Sequence, residues 1–116
     1  MKIEDLASAI EARLVVPRGS GNTNIAFVYG GQTMSDLIAN AAPDVLLVTS
    51  LNNAQLIRVA DLMDVPGICL VDGCEPAPEL VSHARTAGTA LLVSPTGLER
   101  TSLKAAECLS REKAHA

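Results

Sequence analysis

Three stretches of this chain share one form, an unbroken apolar run closed by a polar residue. Asp44-Val45-Leu46-Leu47-Val48-Thr49 is the first, Gly67-Ile68-Cys69-Leu70-Val71-Asp72-Gly73 the second and Thr89-Ala90-Leu91-Leu92-Val93-Ser94 the third. Short runs that are apolar on both faces belong to strands covered on both sides, which is the habit of parallel sheets. Between them, Leu56, Val59, Ala60 and Met63, then Leu80, Val81 and Ala84, fall at helical spacing. Each pair of runs is therefore joined by a crossover of the length a parallel connection needs. The stretch from Pro43 to Ser94 reads as strand, helix, strand, helix, strand. The fold class it predicts is α/β, a single domain with a mainly parallel sheet flanked by helices.

The flanking segments extend this plan. Ile3, Leu6, Ala7, Ile10 and Leu14 describe an amphipathic helix ending near Arg13, and Leu14-Val15-Val16 a short strand stopped by Pro17. Arg18-Gly19-Ser20-Gly21-Asn22 is a turn-rich link. It lacks the Lys-Ser/Thr and the following helix of a phosphate loop. Ile25-Ala26-Phe27-Val28-Tyr29 is the next strand, closed by Gly30-Gly31, and Met34, Leu37, Ile38 and Ala41 mark a helix begun near Thr33 or Ser35. Ser50 is placed to cap the helix after the first core strand, with Asn52 and Asn53 in its first turn. Gly88 is the stop of the next helix. Thr96-Gly97-Leu98-Glu99 fits a capping box for the last helix, with Leu103, Ala106 and Leu109 facing inward.

At 116 residues the chain is long enough to bury a core as one domain, spanning 1–116, with about 3–110 ordered and 111–116 a frayed tail. A net charge of -4 without a Lys/Arg cluster argues against a nucleic-acid surface. Phe27 and Tyr29 are the aromatics, which leaves no stacking platforms for single strands. The start, Met1-Lys2-Ile3-Glu4-Asp5, has no apolar signal region, and no run has the length of a membrane span. A cytoplasmic protein is expected. Cys69 and Cys108 read as small buried hydrophobes and Cys74 as the most exposed thiol, so no disulfide framework is predicted. His83 and His115 are isolated and no cysteine pair has ligand spacing, so no metal site is predicted.

In open α/β sheets ligands sit beyond the carboxyl ends of the strands. Here those ends carry Tyr29, Gly30 and Gly31, then Thr49, Ser50, Asn52 and Asn53, then Asp72 and Gly73, then Ser94 and Thr96. They offer hydroxyls, amides, one carboxylate and backbone N–H groups near helix N-termini, a rim suited to a polar small molecule with an anionic end. The same residue types also serve as helix caps and turns, so capping competes with binding at each position. Catalysis finds no support. No Ser-His-Asp set or paired carboxylates stand out, and Thr49 and Ser50 stand where a receiver domain needs a phosphoacceptor Asp.

Taken in order, the residues resemble the DRTGG domain family over about residues 3–110. The matching pieces are Ser35-Asp36-Leu37-Ile38-Ala39-Asn40-Ala41, Val45-Leu46-Leu47-Val48-Thr49, Gly67-Ile68-Cys69-Leu70-Val71-Asp72-Gly73 with Glu75-Pro76, and Leu91-Leu92-Val93-Ser94 with Thr96. Where the family carries Asp-Arg and Thr-Gly-Gly, this chain has Asn22-Thr23 and Ala26-Phe27-Val28, a degenerate signature. The resemblance extends to the domain preceding the catalytic part of HPr kinase/phosphorylase. It implies a regulatory module without catalysis or cofactor, homodimeric, working beside a partner enzyme of phosphate or energy metabolism. With the signature degenerate the resemblance carries no specific ligand; the expectation of an adenine nucleotide or other small anion comes from the polar rim itself. The alternative is a dimerisation or protein-interaction adaptor that binds no ligand.

Overall fold

The computed structural model describes residues 1–114. Its strands are β1 (Arg13–Val16), β2 (Phe27–Gly30), β3 (Val45–Thr49), β4 (Gly67–Leu70) and β5 (Ala90–Val93). They form one sheet in the order β1-β5-β4-β3-β2, with β2 to β5 parallel in sequence order and β1 antiparallel to β5. The helices are α1 (Ile3–Ala9), α2 (Met34–Asn40), α3 (Ala54–Leu62), α4 (Pro78–Ala87) and α5 (Leu98–Ala114).

Alternation along each strand splits the core in two, because successive side chains leave opposite faces. Leu47, Ile68, Leu70, Leu91 and Val93 join Leu37 of α2, Leu56 of α3 and Leu80 of α4 in one cluster. Leu46, Val48, Cys69, Val71 and Leu92 join Ile3 and Leu6 of α1 and Ala105 and Leu109 of α5 in the other. The predicted α/β sheet flanked by helices is therefore a three-layer sandwich, and its apolar runs are buried on both faces as parallel strands require. Burial also pushes the Cys69 thiol up to about 12, since a thiolate there would be stripped of water. Cys74, half-buried, is raised as well, by burial first and by the Asp72 charge second.

Several boundaries differ from the sequence reading. α1 stops at Ala9 instead of near Arg13, because Glu11 turns the chain at φ 60 and Arg13 enters the sheet. β2 starts at Phe27 and not at Ile25. Asn24 bridges Lys2, and the Ile25 N–H goes to Met1. Asn53, not Ser50, caps α3, its side chain accepting from the Gln55 N–H, so Asn52 and Asn53 precede the helix. The buried face of α3 is Leu56, Ile57 and Ala60, with Met63 beyond its end and exposed.

In α5 the inward residues are Thr101, Ala105 and Leu109, whereas Leu103 and Ala106 are exposed. Leu and Ala occupy two faces of this helix, so spacing alone could not choose between them. The capping box does not form. α5 opens at Leu98, and the Thr96 hydroxyl bonds Ser94 and Thr101 instead of the Glu99 amide. The helix also continues through Ala114, so 111–114 are helical where fraying was expected; His115 and residue 116 lie outside the described residues.

Candidate functional site

The parallel strands β2 to β5 bring all their carboxyl ends to one rim, as the sequence predicted for its candidate residues. How free those groups are is a separate question, answered by their partners. At the end of β2, Tyr29 is half-buried against the α2–α4 side of the core, its ring beside Gly31. Gly30 lies under α5, where a Cβ would run into the Ser102 hydroxyl, and the Gly31 N–H donates to Val48 O. Thr49 is buried with its hydroxyl accepting from the Leu51 N–H at 3.1 Å. Ser50 is exposed.

Asn52 ties the turn after β3 to the turn after β4. Its Nδ2 donates to Glu75 O at 2.8 Å and its Oδ1 accepts from the Ala77 N–H at 2.7 Å. A side-chain amide used this way imitates a stretch of backbone and satisfies two loop groups at once. After β4, Asp72 and Gly73 both have left-handed φ, 59° and 61°, and the Cys74 N–H donates to Val71 O. Asp-Gly is the sequence that favours such a type I′ turn.

The chain leaves β4 toward α4 on one face and leaves β5 toward α5 on the other. This makes the β4–β5 boundary the place where an open α/β sheet parts to receive a ligand. Here it is stitched. The Asp72 N–H donates to Thr96 O and the Gly73 N–H to Ser94 O, both at 2.8 Å. Beneath the stitch the hydroxyls of Ser94, Thr96 and Thr101 close on one another, at 2.8 Å for Ser94–Thr101 and Thr96–Thr101 and 3.2 Å for Ser94–Thr96. Ser94 and Thr101 are fully buried. The Asp72 carboxylate stands over the start of α5, about where a side chain at Gly97 would begin, with Oδ1 3.4 Å from that point. A negative group is favoured at a helix start.

Sequence reasoning missed Arg13. Read as the end of a helix, it instead opens the antiparallel edge strand opposite Val93, which carries its guanidinium to the same rim, 3.6 Å from Glu75. The signal was available in Arg13-Leu14-Val15-Val16, where a charge directly precedes three apolar β-formers. His83 sits away from the rim, in a groove between α3 and α4 with Arg58 and Asp61. Among the described residues no three His, Cys, Asp or Glu side chains are grouped to hold a metal. No described helix is long and apolar enough to cross a membrane.

No family model matches the sequence, and no curated protein matches it. Among solved structures the chain is similar to the CBS and DRTGG domains of the regulatory region of Clostridium perfringens pyrophosphatase, crystallised with its activator diadenosine tetraphosphate. The TM-score is 0.69 at 11% identity, over 90% of this chain and 46% of that one. This chain thus spans about half the length of that regulatory region, and the likeness is one of fold.

Proposed function

We propose that this chain is a non-catalytic regulatory module, homodimeric and cytoplasmic, that binds a nucleotide or similar small anion and conveys its presence to a partner enzyme of phosphate or energy metabolism. The observation that carries this reading is the shared fold, since the similar region is regulatory and holds a nucleotide activator. On this chain we place the ligand at the carboxyl rim, with Ser50, Thr96 and the Asp72-Gly73 turn beside it and Arg13 supplying positive charge. The Ser94 and Thr101 hydroxyls are buried and held by each other, which speaks against a nucleophilic role, because a hydroxyl that is to attack must be held against a base.

The test is a thermal-shift panel of adenine and guanine nucleotides with diadenosine tetraphosphate, confirmed by calorimetry. Ligand at about a hundred times its dissociation constant stabilises the folded state by about 2.7 kcal/mol, a clear shift for a domain of this size. Arg13→Ala and Ser50→Ala, both at exposed positions, are expected to weaken binding about three- to tenfold without loss of fold. No shift with any nucleotide would sink the ligand-binding reading.

A second reading is favoured by one feature. Phe27 is 54% exposed and Leu103 58%, on adjoining elements, while much of the rim is bonded internally. An interaction adaptor with no ligand would look this way, and the same panel separates the two.

A further inference from the structure

β2 pairs with β3 along one edge and with no strand among the described residues along the other. The N–H groups of Phe27 and Gly31 are directed to Asp44 and Val48, so by alternation the N–H and C=O of Val28 face outward. Exposed edges of this kind are usually covered or charged. This one is bordered by apolar surface. α5 runs antiparallel to β2 beside it, with Leu98 near Gly30 at one end and Lys113 near Phe27 at the other. The Lys113 Nζ lies 4.6 Å from the centroid of the Phe27 ring. Two grooves of about 730 and 260 Å³ follow this seam and share Val28 and Ala106.

The outward stripe of α5 reads Glu99, Leu103, Ala106, Ser110 and Lys113 at helical spacing. Its charge reverses about Ala106, with an acid at one end and a base at the other. A two-fold axis past Val28 and Ala106 would therefore lay Glu99 of one copy against Lys113 of the next, twice over. We propose that the open edge of β2 and the adjoining stripe of α5 form a homodimer interface, in which a second copy of this chain pairs antiparallel to β2 and to α5. An isologous contact requires a self-complementary patch, and the reversed charge supplies it. An unrelated extended peptide would have no such requirement.

The backbone and helix spacing agree with this arrangement. Val28 would exchange both hydrogen bonds with the partner's Val28, an ordinary antiparallel pair. Because α5 rests over both β2 and β3, strands about 4.8 Å apart would leave the two α5 helices about 8–10 Å apart, the distance of packed helices. Ala106 at their crossing is small enough for that approach.

The inference rests on the regulatory reading only in its expectation of a homodimer, and the nucleotide panel reports on that reading separately. The test is sedimentation equilibrium of the full chain and of charge-reversed variants, with circular dichroism as the check on fold. The wild type is expected at twice the 12.1 kDa chain mass. Glu99→Lys and Lys113→Glu alone should each weaken the dimer about tenfold, and the double reversal should restore it. Glu99 and Lys113 lie about 21 Å apart along one helix, too far to rescue each other within a chain. Leu103→Asp should give a folded monomer. A concentration-independent monomer mass for the wild type would overturn the proposal. So would a dimer indifferent to all of these substitutions, which would place the contact on another face.

Discussion

The hydroxyls of Ser94 and Thr101 meet at 2.8 Å with both side chains fully buried, one just past the end of β5 and the other in the first turns of α5. This bond ties the end of the sheet to the first turns of the last helix, and Thr96 joins it from the intervening turn. Because α5 covers β2 and β3, the geometry of this corner reaches the far edge of the sheet.

Thr101→Val keeps the shape of the side chain and removes its hydroxyl. It should cost about 1–3 kcal/mol, since the Ser94 hydroxyl loses its nearest buried partner. Chemical denaturation measures this directly, and a change below about 0.5 kcal/mol would show that the corner does not depend on the trio.

Gly30 is where β2 passes under α5. Gly30→Ala would put a methyl group into the Ser102 hydroxyl and within 3.3 Å of Leu98. A loss of about 1–3 kcal/mol is expected, of the kind seen on overpacking, with partial recovery in the Gly30→Ala, Ser102→Ala double variant. Equal stability of the two variants would mean that α5 shifts freely to make room.

Asn52→Ala unties the turn after β3 from the turn after β4. A loss of about 1 kcal/mol is expected, because water reaches both freed backbone groups. The sharper readout is hydrogen exchange. The Ala77 amide now donates to Asn52 Oδ1 and should exchange faster in the variant; an unchanged rate would refute the tie.

The buried Cys69 thiol gives stability a pH dependence of known sign. Its folded value, pushed up to about 12, lies above the ordinary value of 9.0. In that window the folded state keeps a proton that the unfolded chain has lost. Stability should therefore be fully present below pH 9 and fall as pH rises toward 12, by about 1.4 kcal/mol per unit at most. Cys69→Ala should remove this share of the alkaline loss, and identical alkaline curves would contradict the assignment.

What the sequence made legible was whatever depends on strands buried on two faces. The runs ending at Thr49, Asp72 and Ser94 had one interpretation, and the carboxyl rim followed from it. What stayed hidden depends on tertiary choice. Leu103 and Ala106 looked inward because α5 carries apolar residues on two faces, and only packing against β2 decides between them. Arg13 looked helical because the helical spacing of Ile3, Leu6, Ile10 and Leu14 runs past it. The left-handed turn at Glu11 that ends the helix early falls on a residue that rarely adopts it, and this outweighed the strand signal in Arg13-Leu14-Val15-Val16. At the rim the residue types were foreseen, with capping as the rival to binding, but not the particular partners: Asn52 reaching Glu75 and Ala77 across two turns, Asn53 in place of Ser50 as the cap, and Ser94 bonding Thr96.

The antiparallel pairing of Arg13 with Val93 bears on the order in which this protein can be made. Strands β2 to β5 lie side by side in the order of their synthesis, so each can dock on its predecessor as it leaves the ribosome. β1 cannot. It emerges before all of them and has no neighbour until β5, the last strand, is complete. Leu14, Val15 and Val16 must wait until every other strand of the sheet has been made, and any product cut short after α4 would leave them as an unpaired, apolar strand open to aggregation.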